Sequence, residues 1–218
     1  MMKIRVFIVD DHAIVRDGLK YMLSIQKDMT VVGDTADGRQ AVAMIKQVKP
    51  DVVIMDIALP KLNGIEATQQ ITQFCPSAKV IILSMFYTAE HIFRAFQAGA
   101  RGYLLKEAAG AELLQAIPMV HQGKQYLSEG IHDISLPEII KQLAGSAHKT
   151  PLERLSPRER EILQLVAEGK SSLEIAQVFG LSAKSVETYR SRLMGKLKVK
   201  GLANLIKFAV QNGLTTAR

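Results

Sequence analysis

Over roughly the first 120 residues, short apolar runs alternate with stretches whose apolar positions recur every three to four residues. The runs are Ile4 to Val9, Thr30 to Val32 with Gly33, Val52 to Met55, Val80 to Leu83 and Tyr103 to Leu105; candidate helices lie near residues 13 to 26, 38 to 48, 64 to 73, 88 to 98 and 109 to 121. Five βα units in succession predict an α/β fold, a five-stranded parallel sheet with helices on both faces and right-handed crossovers, in the common order 2-1-3-4-5. From Gln122 to Thr150 the pattern weakens, and "LAGSAHKTP" has the small, polar composition of a linker, although "LPEIIKQL" suits a short helix on the way.

A second, all-helical pattern follows. In "SPRE", Ser156 is an N-cap, Pro157 takes the first helical position and Glu159 completes a capping box; "SSLE" at Ser171 to Glu174 repeats the box. Gly180 then ends one helix and Ser182 caps the next, with Ile175, Ala176 and Phe179 as core contacts, which is a helix-turn-helix pattern. On the last of these helices Val186, Leu193 and Leu197 share one side, while Lys184, Thr188 and Ser191 face away, flanked by Glu187 and Arg192. The division expected is 1–121, a linker over 122–150, and 151–218.

Charge sharpens this division. The formal charge is +7, yet Pro151 to Arg218 holds 12 Lys and Arg against 6 Glu, leaving 16 basic and 15 acidic side chains for the rest of the chain. A basic module is joined to a balanced one, which is compatible with nucleic-acid binding and equally with a merely soluble surface. Cys75, the only cysteine, reads as a small semi-buried hydrophobe. The start "MMKIRVFIVDD" has too short an apolar stretch for a signal peptide or a membrane span, so a cytoplasmic location away from membranes is expected.

Chemistry gathers where the strands end. Ligands of an open parallel sheet bind beyond the carboxyl ends of its strands, and here those ends carry Asp10 and Asp11, Asp56, Ser84 and Lys106. Taken singly, each Asp is a turn residue or helix cap. Taken together on four neighbouring strands, the three carboxylates would repel one another unless a hard divalent cation compensated them, and Mg²⁺ suits such a site best. Lys106 adds a fixed positive charge and Ser84 a hydroxyl, so the set suits phosphate: a carboxylate attacking phosphorus would form an acyl phosphate.

"VFIVDDHAIVRDGL", "PDVVIMDIALPKLNGIEA", "VIILSMF" and "GARGYLLKEA" resemble the receiver domain of bacterial two-component response regulators of the NarL/FixJ type, across residues 3 to about 121. The resemblance implies a flavodoxin-like fold with Asp56 as phosphoacceptor. It further implies that Asp10, Asp11 and Asp56 hold Mg²⁺ (or Mn²⁺) with the backbone carbonyl of Ala58, that Ser84 and Lys106 contact the phosphoryl group, and that Tyr103 is the switch aromatic that turns inward with Ser84. His12 is expected to cap or pack at the start of the first helix, Gly64 to answer a backbone need, and Ala58 and Phe86 to occupy positions that tune phosphate lifetime. A phosphoryl group adds about −1.5 to −2 charges, enough to bias a two-state element.

"LSPREREILQLVAEGKSSLEIAQVFGLSAKSVETYRSRLMGKLKV" resembles the LuxR-type DNA-binding domain over about 152 to 214, with Ser172, Leu173 and Tyr189 departing from the usual residues. Lys184, Glu187, Thr188 and Ser191 are then placed to reach base edges of double-stranded DNA, and Arg190, Arg192 and Lys196 its phosphates. Leu202, Leu205, Ile206 and Val210 supply either a dimer seam or part of a monomeric core. The expectation is a transcription regulator without catalytic residues of its own, phosphorylated by a sensor histidine kinase and forming a homodimer on DNA when phosphorylated. Two other readings stand beside it. One is a Mg²⁺-dependent phosphohydrolase with Asp56 as nucleophile, which lacks a second nearby acid because Ile57 and Ala58 follow; the other is a DNA-binding protein whose receiver serves only for dimerisation.

Overall fold

A computed structural model of the 218-residue chain describes residues 3–85, 88–131 and 151–215. The elements run β1 (Ile4–Val9), α1 (Ala13–Ser24), β2 (Met29–Thr35), α2 (Gly38–Val48), β3 (Val52–Asp56), α3 (Gly64–Phe74), β4 (Lys79–Ser84), α4 (Ala89–Gln97), β5 (Gly102–Leu105), α5 (Ala109–His121) and β6 (Tyr126–Leu127). The helical part then contains α6 (Pro157–Ala167), α7 (Ser172–Phe179), α8 (Ala183–Leu197) and α9 (Leu202–Gln211).

Strand alternation decides which residues cover which face. Val6, Ile8, Val52, Ile54, Ile81 and Leu83 pack with Leu19 and Leu23 of α1 and Leu113, Ile117 and Val120 of α5. Their neighbours Phe7, Val9, Val53, Met55, Val80 and Ile82 turn the other way, onto Ala41 and Ile45 of α2, Ile71 of α3 and Ile92 of α4. A central strand buried on both faces therefore reads as a continuous apolar run, as Val52 to Met55 does. Cys75 is free and buried in the second of these clusters.

All strands are parallel, in the order β2-β1-β3-β4-β5-β6. The expected order holds for five strands, but the sheet has six: Tyr126 and Leu127 pair with Gly102 and Tyr103 inside the stretch expected to be linker. Two half-buried residues are too few to show a period, so this strand is invisible in the sequence. The expected short helix "LPEIIKQL" lies outside the described residues.

The helical part folds around Leu152, Leu155, Ile162, Leu163, Val166, Ile175, Val186, Leu193, Leu205 and Ala209. Both capping boxes form, at Ser156 with Glu159 and at Ser171 with Glu174. Gly180 ends α7 in the left-handed conformation, φ 64°, where glycine carries no Cβ penalty, and Ser182 caps α8 through the Ser185 N–H.

Candidate phosphorylation site and nucleic-acid interface

The parallel register brings the predicted acids to one edge. Asp56 is the last residue of β3, Asp10 and Asp11 follow β1, Ser84 ends β4, and Lys106 follows β5. Oxygens of Asp10, Asp11 and Asp56 and a ring nitrogen of His12 all lie within 4.8 Å of one another. Lys106 Nζ bridges two of these acids, 2.7 Å from Asp56 Oδ2 and 2.7 Å from Asp10 Oδ2. The Ala58 N–H donates to Asp56 Oδ1 at 3.3 Å, and Arg16 Nη1 donates to the Asp10 carbonyl at 2.7 Å.

Burial pushes the Asp56 carboxyl above its ordinary value; Lys106 pulls it down, and the neighbouring Asp10 adds to the rise. Burial works against the Lys106 ammonium too, yet Asp56 and Asp10 together hold it above its ordinary value. Three carboxylates facing one ammonium leave negative charge in excess, and all the acidic donors are hard oxygens. That donor set fits a divalent cation of the Mg²⁺ kind, and the residues that would hold one are Asp10, Asp11 and Asp56.

Tyr103 is fully buried on the α4 side of the sheet and hydrogen-bonded to Ser84, itself fully buried. Burial drives its phenol pKa upward, so it stays a neutral donor or acceptor. The aromatic ring thus already lies inward against the hydroxyl with which it is expected to move. His12 stands at the N-cap of α1 without a side-chain cap bond. Its ring Nδ1 lies instead 2.8 Å from Asp11 Oδ1 and 3.2 Å from Asp10 Oδ1, so the acid pocket rather than the helix end engages it. Gly64 answers a packing need: a Cβ there would stand 1.9 Å from the Asp56 carbonyl oxygen, so only glycine lets α3 start directly under the acid. Ala58 is half-buried beside Asp56, whereas Phe86 lies outside the described residues.

On α8, Lys184, Glu187, Thr188, Ser191 and Arg192 are exposed in a row at helical spacing. Val186 and Leu193 are buried beneath them, and Leu197 packs on the same core. Arg190 and Lys196 are less free than their neighbours: Arg190 Nη1 donates to Ser172 Oγ at 3.0 Å, and Lys196 pairs with Glu159 at 2.8 Å. Of the four seam candidates, Leu205 is fully buried in its own domain's core and Leu202 is 44% exposed. Ile206 and Val210 line a cleft toward the first domain.

An acid-lined pocket at a parallel sheet edge, joined to a basic helix-turn-helix module, defines a receiver with a DNA-binding output. The model of the response regulator receiver domain matches residues 6–118, and that of the luxR family of bacterial regulatory proteins matches residues 153–209. The chain belongs to the response regulators with a luxR-family output domain and is a DNA-binding transcriptional regulator of the two-component type. It is 36% identical over 216 residues to the uncharacterized transcriptional regulatory protein YxjL of Bacillus subtilis, covering 97% of each chain. It is 36% identical over 213 residues to the oxygen regulatory protein NreC of Staphylococcus carnosus, covering 96% of this chain and 98% of that protein. Among solved structures, the RcsB response regulator of Salmonella typhimurium is similar with a TM-score of 0.66 at 27% identity, over 97% of this chain and 98% of that one. An RcsB–DNA complex aligns with a TM-score of 0.58 at 26% identity, over 94% and 97%.

One set of residues carries no functional signal in the sequence. Arg160, Glu161, Gln164 and Glu168 form a stripe on and just beyond α6, and all four reach the receiver. Arg160 pairs with Glu66 through Nε at 2.5 Å and Nη2 at 3.1 Å. Glu161 accepts from Arg39 at 2.9 Å and from Gln70 at 3.1 Å, and Glu168 accepts from the Lys61 N–H at 2.9 Å. Gln164 is fully buried; its Nε2 donates to the Leu59 carbonyl at 2.8 Å and its Oε1 accepts from the Asn63 N–H at 2.7 Å. Only the spacing i, i+4, i+8 of Arg160, Gln164 and Glu168 marks a common face, and a polar face on a helix normally means solvent.

Proposed function

We propose that Asp56 accepts a phosphoryl group from a sensor histidine kinase and that its phosphorylation controls DNA binding by the C-terminal module. The observation that carries this reading is Lys106 bridging Asp56 and Asp10 at 2.7 Å within a cluster of three carboxylates. In the transfer, a carboxylate oxygen of Asp56 attacks phosphorus as the phosphorus–nitrogen bond of the donor phosphohistidine breaks and the imidazole leaves. The product is an acyl phosphate. Asp10, Asp11, Asp56 and the Ala58 carbonyl hold Mg²⁺ or Mn²⁺, which when bound offsets charge on the transferring oxygens. Lys106 holds one phosphoryl oxygen by charge, and Ser84 donates its hydroxyl to another. Tyr103 follows Ser84 through their hydrogen bond.

Ile14, Tyr21 and Ile25 on and after α1 are exposed apolar residues at helical spacing, a stripe that runs from the pocket end of the helix to its far end and is open to a protein partner. The domains are the receiver, 1–121, and the DNA-binding domain, 151–218, joined by 122–150, within which β6 (Tyr126–Leu127) pairs into the receiver's sheet. Lys184, Glu187, Thr188 and Ser191 read bases while Arg190, Arg192 and Lys196 meet phosphates of double-stranded DNA. Leu202 is the exposed part of the seam, and Ile206 and Val210, which face the receiver across a cleft, join it once the domains part, to meet a second copy in a homodimer; the RcsB dimers bound to DNA support this arrangement. The protein works in the cytoplasm; no helix among the described residues is long and apolar enough to cross a membrane. The phosphohydrolase alternative is disfavoured because the positions that follow Asp56 are Ile57 and Ala58, neither of which supplies a general acid, while Asp10 and Asp11 belong to the cation site.

The test treats the full chain and its Asp56→Ala variant with acetyl phosphate and Mg²⁺ and follows label, mass in solution and DNA binding. Label confined to the wild type, with tighter DNA binding, supports the reading. Equal label on both proteins, or DNA affinity unmoved by label, overturns it.

A further inference from the structure

Resting on that reading, we propose that Gln164 is a positioning residue for the phosphorylation site: it ties the DNA-binding domain to the turn that carries Ala58, so that domain docking and occupancy of the Asp56 site form one equilibrium.

The turn from Ile57 to Asn63 is short and closed at its base. The N–H groups of Leu59 and Gly64 both donate to the Ile57 carbonyl at 2.9 Å, and the Leu62 N–H donates to the Pro60 carbonyl at 2.8 Å. Lys61 sits at φ 65°, a left-handed conformation unusual for a residue with a Cβ. Such a turn moves as a unit. At one end, the Ala58 N–H already bonds Asp56 Oδ1, and its carbonyl is the expected cation ligand. One residue on, the Leu59 carbonyl takes the Gln164 amide, and at the far end the Asn63 N–H donates to the same side chain. Asn63 also caps α3, its Oδ1 accepting from Ile65 and Glu66, and Glu66 holds Arg160. Gln164 Nε2 also donates to Glu168 Oε1 at 2.8 Å; because its partners on the receiver are the Leu59 carbonyl and the Asn63 N–H, the carboxamide of Gln164 has one productive orientation. A shift of the turn toward a cation on Ala58 breaks it.

The chemistry of this contact suits reversible docking. Its strongest links are hydrogen bonds and ion pairs, made by Glu66, Arg160, Glu161, Gln164 and Glu168, which water can replace once the domains part. With the domains closed, a buried carboxamide or carboxylate deprived of its partner costs far more. Small displacements are therefore amplified into release.

Docking also decides what is covered. The exposed row on α8 makes none of these bonds to the receiver. Across a cleft of about 550 Å³, Ala58 to Lys61 instead face Ile206 and Val210 of α9. Release therefore frees the α9 face for a second copy and leaves access to the recognition helix unchanged.

Linkage makes the proposal reciprocal: if docking opposes site occupancy, breaking the latch must improve it by the same factor. The full chain, Gln164→Ala and Arg39→Ala, the last removing a partner of Glu161 from the receiver side, are compared by Mg²⁺ titration calorimetry, hydrodynamic radius and acetyl phosphate labelling. Expected for Gln164→Ala are a larger radius, Mg²⁺ affinity raised about five-fold or more, and faster labelling; Arg39→Ala shifts all three in the same direction by less. Unchanged Mg²⁺ affinity in both variants, or a larger radius without it, overturns the coupling while leaving wild-type labelling of Asp56 intact. Failure of the wild type to label overturns the underlying reading instead.

Discussion

Lys106 and Asp56 meet at 2.7 Å across the edge of the sheet, one following β5 and the other closing β3, with β4 between them. Their pairing offsets part of the cost of burying Asp56 next to Asp10, a cost that raises the Asp56 pKa. Replacing Lys106 with Ala leaves two buried acids facing each other, so the Asp56 carboxyl rises further. Labelling by acetyl phosphate should fall about 10²- to 10³-fold, the usual loss when one donor to a developing oxyanion is removed. Mg²⁺ affinity should hold or increase, because the ammonium no longer competes for the same oxygens. Loss of Mg²⁺ binding with labelling retained would show that Lys106 serves the metal site rather than the phosphoryl group.

Gly64→Ala sets two effects against each other. Alanine favours helix by about 1 kcal/mol over glycine, but its Cβ would stand 1.9 Å from the Asp56 carbonyl oxygen, which is backbone and has little room to yield. Overpacking of this kind costs about 1–3 kcal/mol, so the clash wins. Urea unfolding should show a lower midpoint with an unchanged slope, together with slower labelling. A stabilised variant would mean that α3 can slide off β3 freely.

Acid should loosen the two domains through His91. This side chain lies on α4 beneath the C-terminal turn, where a Cβ on Gly213 would collide with its Nε2, and its Nδ1 is 2.6 Å from Thr88 Oγ1. Burial, with Arg94 adding to it, lowers its pKa from 6.5 to about 4, while a backbone hydrogen bond involving Asn212 pulls the other way. Between these values the undocked or unfolded chain binds more protons than the docked one. Relative to the unfolded chain, the contribution is therefore complete above about pH 6.5 and is lost as the pH falls toward 4, by on the order of 3 kcal/mol. Hydrodynamic radius followed from pH 7 to 5 should rise in the wild type and change less in His91→Gln. Parallel curves for the two proteins would remove His91 from the account.

The recognition surface can be tested without knowing its operator. Lys196→Ala and Arg192→Ala, both exposed, should weaken binding to any duplex; the slope of log affinity against log salt should become shallower by about 0.9 for each DNA phosphate that the variant no longer neutralises. Arg190→Ala also forfeits its bond to Ser172, so its melting temperature should fall as well. Unaltered slopes in all three would place the phosphate-binding face elsewhere.

Local pattern carried most of the architecture. Alternation along five strands and the period of the intervening helices are properties of neighbouring residues, so they are legible in one dimension, as are the capping boxes at Ser156 and Ser171 and the left-handed Gly180. Convergence of Asp10, Asp11, Asp56, Ser84 and Lys106 followed from one further rule, that parallel strands present their carboxyl ends on the same edge. The edge strand Tyr126–Leu127 escaped because it exists only by pairing with Gly102 and Tyr103. His12 turned to Asp11 because that choice depends on the field of the whole pocket.

The sequence by itself determined the two modules, their helix boundaries and the set of groups at the acid pocket, since each rests on short-range periodicity and side-chain chemistry. Only the tertiary structure decided what the polar stripe Arg160, Glu161, Gln164 and Glu168 meets. A polar helix face looks the same in sequence whether water or another domain satisfies it. The hydrogen-bond partners that make the difference, Glu66, Leu59 and Asn63, lie about a hundred residues away along the chain.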